Sequence, residues 1–442
     1  MFRAFTLLAA FIGSAAQSET ISTFELENGM EVVVVEDHRA PVVVHMVYYK
    51  VGAADEPAGQ SGIAHFLEHL MFKGTDDLAP GEFSRIVEAN GGSDNAFTSR
   101  DQTAYHQRVA ADRLALVMEM EADRMRDLQL SEEDVLTERD VVLEERAQRT
   151  DSDPGALFSE QRTAALYLNH PYGIPTIGWR SEIEQLTLED ALAFYQTYYA
   201  PNNAILVVAG DVEPENVLAL AREHYGPIAP TEGLSERQRP QEPPHLVERR
   251  LVFEDARIGQ PYAIRTYLAP ERDSGDQETA AALTMLAELL GGSPATSVFA
   301  RKLQYDSQTA ISSGAFYGGM AYDDTSFGVY IVPSQGVSLE EAEAALDQAI
   351  AEFMEEGVDE DALARIKMQA RAARIYEQDN VESVARRYGR ALTSGLTVED
   401  VQAWPDILEA VTPDDIMAAA EMVFDRRNAV TGWLTTPAGE VQ

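Results

Sequence analysis

The sequence predicts an α+β fold made of two copies of one unit of about 200 residues, joined by a linker. Three observations carry this. The run from Thr187-Leu188-Glu189-Asp190 through Asn203-Ala204 matches Thr412-Pro413-Asp414-Asp415 through Asn428-Ala429 at a constant offset of 225 residues, each a capped helix, a short turn and a strand. The strand Tyr262 to Tyr267, the helix Glu278 to Leu290 and Gly291-Gly292 echo the strand Val42 to Tyr49, the helix after it and Gly74. Between the copies, Pro227 to His245 holds five prolines and few apolar residues, the composition of an exposed linker. The expected division is therefore a leader over 1–16, a first unit over 20–228, a linker over 229–245 and a second unit over 246–442.

Taken in order, Met1-Phe2-Arg3 and the apolar run Ala4 to Gly13, closed by Ser14-Ala15-Ala16, read as a secretory signal cleaved after Ala16. That places the mature protein in the periplasm of a Gram-negative cell or outside the cell, and no later run is long and uncharged enough to span a bilayer. Thr23 to Glu36 reads as two strands around Asn28-Gly29, followed by the strand Val42 to Tyr49. Next come a helix over Ser61 to Gly74, with Ser61 as cap and Gly74 as a left-handed stop, and a helix over Pro80 to Asn90. Asp94 to Ser99 and Thr103 to Val109 are strand-like, and Ala111 to Arg126 and Ser131 to Arg149 are amphipathic helices, the second opened by Ser131 with Asp134. Leu188 to Tyr199 is a helix and Ala204 to Ala209 a buried strand.

Composition narrows the chemistry. The absence of Cys excludes disulfides, thiolate metal sites and cysteine catalysis, so stability rests on the two cores. The formal charge is −40; removing Arg3 leaves 33 basic against 74 acidic residues, or −41. Such a chain is a poor partner for nucleic acid or an anionic membrane and attracts basic substrates, although the charge also serves solubility.

One helix carries reactive groups. Between Ser61 and Gly74, the residues Ile63, Phe66, Leu67, Leu70 and Met71 share one face, while His65, Glu68 and His69 share the other. Two imidazoles at i and i+4 can hold one zinc ion, and a carboxylate between them can act as base toward a water acidified by that ion. The bland alternative is two surface histidines on an amphipathic helix. Zinc still needs a third ligand, a His or a carboxylate; Glu138 and Glu145, seven apart in Glu138-Arg139-Asp140-Val141-Val142-Leu143-Glu144-Glu145-Arg146, share a helix face that is otherwise read as solvated.

His65-Phe66-Leu67-Glu68-His69, Asn95-Ala96-Phe97-Thr98, Glu138 to Glu145 and Pro201-Asn202-Asn203-Ala204 together resemble the pitrilysin and insulinase-type zinc metallopeptidases, the inverzincins, and within them bacterial relatives of the mitochondrial processing peptidase beta subunit. The resemblance runs from about Ile21 to Pro437. It implies two homologous domains, each a mostly antiparallel sheet packed with helices, arranged as a clamshell around an unfolded peptide. It also implies one zinc per chain, with Glu145 as third ligand, Glu144 as the fallback, Glu138 as a supporting carboxylate and Glu68 as the base. Asn95, Ala96, Phe97 and Thr98 would pair with the substrate backbone.

One departure bears on partners. Single-chain members carry an Arg and a Tyr in the second half, and the aligned positions here are Gln304 and Ile311, with Arg301 and Tyr305 nearby only after a register shift. The expectation is a catalytic subunit completed by a metal-free homologue that supplies Arg and Tyr, with a homodimer as runner-up. Two other classes compete: a non-catalytic core or assembly subunit that keeps the fold and metal site, and a zinc-storage or solute-binding protein. A scaffold has no use for the base Glu68, and a storage protein would expose a His-rich loop, which is not visible.

Overall fold

The computed structural model describes residues 20–437; the segment read as a signal, 1–16, lies outside them. In the first half, β1 (Thr20–Glu25) and β2 (Glu31–Glu36) form a hairpin whose Gly29 takes φ +85°. Then follow β3 (Val42–Tyr49), α1 (Ile63–Leu70), α2 (Glu82–Ala89), β4 (Ser93–Thr98), β5 (Thr103–Ala110), α3 (Leu114–Arg126) and α4 (Glu132–Arg146). The half ends with α5 (Pro154–Leu166), α6 (Arg180–Ile183), α7 (Leu188–Tyr198), β6 (Ala204–Gly210) and α8 (Pro214–His224). The sheet runs β1-β2-β6-β3-β5-β4, antiparallel at every step except β2 to β6. Central β6 is buried throughout, as its unbroken apolar run requires.

The second half holds β7 (Arg249–Glu254), β8 (Tyr262–Ala269), α9 (Glu278–Ala287), β9 (Ala310–Tyr317), β10 (Thr325–Pro333), α10 (Leu339–Glu356) and α11 (Glu360–Glu377). It closes with α12 (Val381–Thr393), α13 (Val398–Ala410), α14 (Pro413–Val423) and β11 (Ala429–Thr435). Its sheet order, β7-β11-β8-β10-β9 with β7 and β11 parallel, repeats β2-β6-β3-β5-β4 strand for strand. The matched helices α7 and α14 start in the same way, on capping boxes in which the hydroxyls of Thr187 and Thr412 accept from the N–H groups of Asp190 and Asp415 at 3.2 Å.

Each half buries its own core, and the linker and two further clusters join the halves. Val384, Ala385 and Tyr388 of α12 cover Val33, Val44, Met46 and Tyr48 on the first sheet. In return, Phe158 of α5 packs with Ile264 and Leu434 of the second sheet. Each half thus lends a helix to the other. The linker is not a loose tether. It forms no helix or strand, but Arg237 and Arg239 turn inward, and Arg239, 3% exposed, reaches Asp101 at 2.6 Å and Asp323 at 2.8 Å. Asp101 belongs to the first half and Asp323 to the second, so the linker is an ionic strap across both. Proline and charge signalled exposure; alternation of inward and outward side chains was the feature they concealed.

Candidate metal centre

The apolar face of α1 (Ile63, Phe66, Leu67, Leu70) is fully buried, which forces His65, Glu68 and His69 to the opposite side. The start of the helix differs from expectation. Gly62, at φ +89°, precedes the first turn, and the carboxylate of Glu56 accepts from the N–H groups of Gly62 and Ala64, both at 2.9 Å. Ser61 instead accepts from the N–H of Trp179 at 2.9 Å. Gly74 is not left-handed either; a Cβ there would lie 2.9 Å from the carbonyl of Leu78, so close approach explains the glycine.

Helix α4, opened by Ser131 and Asp134 as the sequence indicated, packs on α1 and brings Glu145 opposite the histidines. Glu145 Oε2 lies 3.3 Å from His69 Nε2 and 3.6 Å from His65 Nε2. Three donors around a tetrahedral zinc stand roughly 3.4 Å apart, close to these two spacings, and all three ligand atoms lie within 4.8 Å of one another. Glu144 faces outward, bonded to the Gln148 amide at 2.8 Å.

The surrounding groups bias the two imidazoles in opposite directions. Burial, assisted by His69 and Arg149, pulls the His65 imidazole down to a pKa of about 3, so it is neutral. His65 Nδ1 is buried without a hydrogen-bond partner. Glu138, held at about 2 by hydrogen bonding to His69, with Lys73 at 2.5 Å adding to the effect against burial, is an ionised acceptor. His69 Nδ1, 2.8 Å from Glu138, must therefore carry a hydrogen, so in the neutral ring Nε2 is the lone-pair nitrogen toward Glu145. Burial opposes charge on His69, but Glu138, Glu145 and Glu68 outweigh it and raise its pKa. Burial raises that of Glu68, whose Oε2 accepts from the Thr98 hydroxyl at 2.6 Å. Arg149 holds Glu145 Oε1 at 2.5 Å.

Along β4 the side chains alternate between the two faces of the sheet. Thr98 points to Glu68, and Ala96 packs on the first core. Phe97 faces the other layer, beside Tyr48 and under Arg386, and Asn95 Oδ1 accepts from the N–H of Ala96 at 2.9 Å. Gln304 bonds Ser313 at 3.0 Å and Ile311 is 57% exposed on β9; the Tyr305 hydroxyl donates to the Pro294 carbonyl and Arg301 stands 3.9 Å from Asp359. All these partners lie in the second half. Lys73 and Arg149 were not singled out from sequence, although each stands four residues after a candidate ligand, His69 or Glu145, and that spacing was the available signal.

Comparison with known proteins agrees with the fold. A profile described as "Insulinase (Peptidase family M16)" matches residues 31–179, and one described as "Peptidase M16 inactive domain" matches 185–370. The zinc protease PqqE of Helicobacter pylori is 32% identical, over 91% of this chain and 90% of that relative. The chain belongs to peptidase family M16. A probable mitochondrial-processing peptidase subunit beta from Schizosaccharomyces pombe is 27% identical over 92% of this M16 chain and 90% of its own. The crystal structure of a protease from Helicobacter pylori superimposes with a TM-score of 0.86 at 28% identity, covering 94% of this chain and 99% of that one.

Proposed function

We propose that this M16 chain is a zinc-dependent endopeptidase acting on unfolded peptides or small proteins, with His65, His69 and Glu145 holding one zinc and Glu68 as general base. The observation that carries the reading is the convergence of two imidazole nitrogens and one carboxylate oxygen at 3.3 and 3.6 Å, with a fourth group, Glu68, beside them. Bound zinc would supply Lewis acidity toward water and the scissile carbonyl. The chain's own residues do the rest. Thr98 occupies Glu68 Oε2, so Oε1 is the oxygen that takes a proton from the attacking water and returns it to the leaving amine. Glu138 holds His69 in the tautomer that presents Nε2. Strand β4 is the last of its sheet, with β5 as its strand neighbour, so its outer edge is available to pair with an extended peptide.

The charged Arg and the Tyr that would fix such a peptide are replaced by Gln304 and Ile311, and we propose that a metal-free homologous subunit supplies them. The purified chain should then cleave slowly alone, with turnover rising sharply on adding that partner; equal turnover alone would remove the partner from the scheme. Export, with residues 1–16 as signal, belongs to the same proposal; no helix of the described residues is long and apolar enough to cross a membrane. The non-catalytic assembly subunit is disfavoured by the care with which Thr98 orients Glu68, a group that a scaffold would leave free. The test is a pair of variants. His65→Ala should lose zinc, whereas Glu68→Gln should keep it and lose at least about a hundredfold in turnover; full turnover by Glu68→Gln would overturn the assignment.

A further inference from the structure

The two segments that bracket the metal centre also wall a cavity of about 280 Å³. Arg100 enters it from the β4–β5 turn, two residues beyond Thr98, and Thr150 from the turn after α4, five beyond Glu145. Ser159, Glu160 and Thr163 of α5 line it too, as does the segment 173–177. The one carboxylate among these, Glu160, is taken: Arg146 binds both its oxygens, at 2.8 and 3.1 Å.

Arg100 is not taken. Its guanidinium is half-buried over the rings of Tyr172 and Tyr167, at 5.1 and 5.9 Å, and has no ion-pair or hydrogen-bond partner among the described residues. Several buried arginines have carboxylates, Arg124 with Glu121 at 2.6 Å, Arg239 with Asp101 at 2.6 Å and Arg265 with Glu343 at 2.7 Å, and Arg272, which has none, still donates to the Gln277 amide oxygen and the Asp400 carbonyl. In a chain with 74 acidic residues against 34 basic ones, leaving a half-buried guanidinium unpaired is not for want of carboxylates. The backbone around it is fixed as well, since the Arg100 carbonyl accepts from the N–H of Ala54 at 2.9 Å. The result is a preorganised cation stacked on aromatic faces, facing a space large enough for a side chain.

We propose that this cavity is a substrate subsite that binds a carboxylate of the peptide, either an Asp or Glu side chain or the C-terminal carboxylate, through Arg100. The proposal rests on the peptidase reading. A peptide added to the edge of β4 advances about 3.3 Å per residue, so a group some two residues from the bond beside Glu68 comes level with Arg100. The acidic surface does not oppose this. Its field draws in basic peptides from a distance, whereas a contact on one stacked guanidinium decides which residue settles next to the scissile bond.

The test uses the mature full-length protein and matched unfolded peptides that differ only at successive positions around one cleaved bond, carrying Glu, Gln or Lys, each with a free or an amidated C-terminus. The wild type should favour Glu over Gln at one position by about tenfold in kcat/KM if a side chain fills the subsite. If the terminus fills it, the free peptide should win by that factor over the amide. Arg100→Gln should bring the ratio to about one and Arg100→Lys should keep part of it, with unchanged thermal melts showing that both variants fold. No carboxylate preference in the wild type, or a preference that survives Arg100→Gln, would overturn the subsite. Peptide binding to the zinc-loaded Glu68→Gln protein, read by fluorescence anisotropy, separates the two readings. Carboxylate-dependent binding that Arg100→Gln abolishes supports the subsite even if the wild type cleaves nothing, an outcome that would sink only the peptidase reading; binding without that preference overturns the subsite.

Discussion

At the scale of residues, the cluster makes unequal demands on its carboxylates. Glu145→Gln should lower zinc content sharply, because an amide is a poor ligand for zinc, while Glu144→Gln, facing solvent, should leave it unchanged; metal analysis of the two proteins decides between them. Glu138→Gln removes the acceptor that fixes His69, and an outer partner of this kind is worth about ten- to a hundredfold in metal affinity, measurable by competition with a chelating dye. Thr98→Val should lower kcat by about tenfold at unchanged KM, and Thr98→Ser should restore it, because the hydroxyl orients Glu68 without touching substrate. A rise in KM with kcat intact would instead place Thr98 in peptide binding. The His pair and Glu68 were legible from spacing alone, since a helix puts i and i+4 together. Glu145 was not separable from Glu138 or Glu144 by spacing, because the choice depends on how α4 lies across α1. The Thr98 contact was equally hidden, as nothing local says which face of β4 meets α1.

At the scale of elements, α1 is held in place by a back-to-back pair of glycines. Gly62 and Gly178 take φ of +89° and +90°, and a Cβ on Gly178 would meet the Ser61 carbonyl at 2.4 Å. Gly178→Ala should therefore destabilise the fold by about 2 kcal/mol or more, through left-handed strain plus the clash, and weaken zinc binding by shifting the first turn of α1. A melt and a zinc titration check both; an unchanged melt would mean that the two loops part without cost. Strands, the hairpin at Asn28-Gly29 and the box at Ser131 follow from patterns within a few residues and were readable. Ser61 and Gly74 misled because residue type fits a cap equally well where the actual partner, Glu56, arrives from outside the helix.

At the scale of the molecule, the repeat was legible because topology follows the order of elements, but the exchange of α5 and α12 was not, since an apolar helix face does not name the sheet it covers. The exchange predicts that a protease cut between Thr231 and Gln238 leaves one species on native size exclusion; separation of the fragments would contradict the interlocked cores. Acid should weaken the second half through Glu343. Burial pushes its carboxyl up, but Arg250, Arg265 and the Trp433 indole outweigh this and hold it at about 2, below the usual 4.5. The stabilisation is present above about pH 4.5 and is lost as pH falls from there toward 2, on the order of 3 kcal/mol in all. Glu343→Gln should flatten that limb of the unfolding profile, and an unaltered limb would assign it to other groups. For the whole account, the most direct measurement is anomalous diffraction at the zinc edge from crystals of the zinc-loaded Glu68→Gln protein with an unfolded peptide. The prediction is one peak per chain bounded by His65 Nε2, His69 Nε2 and Glu145, with the peptide paired along β4; a peak elsewhere, or none at that cluster, would contradict it.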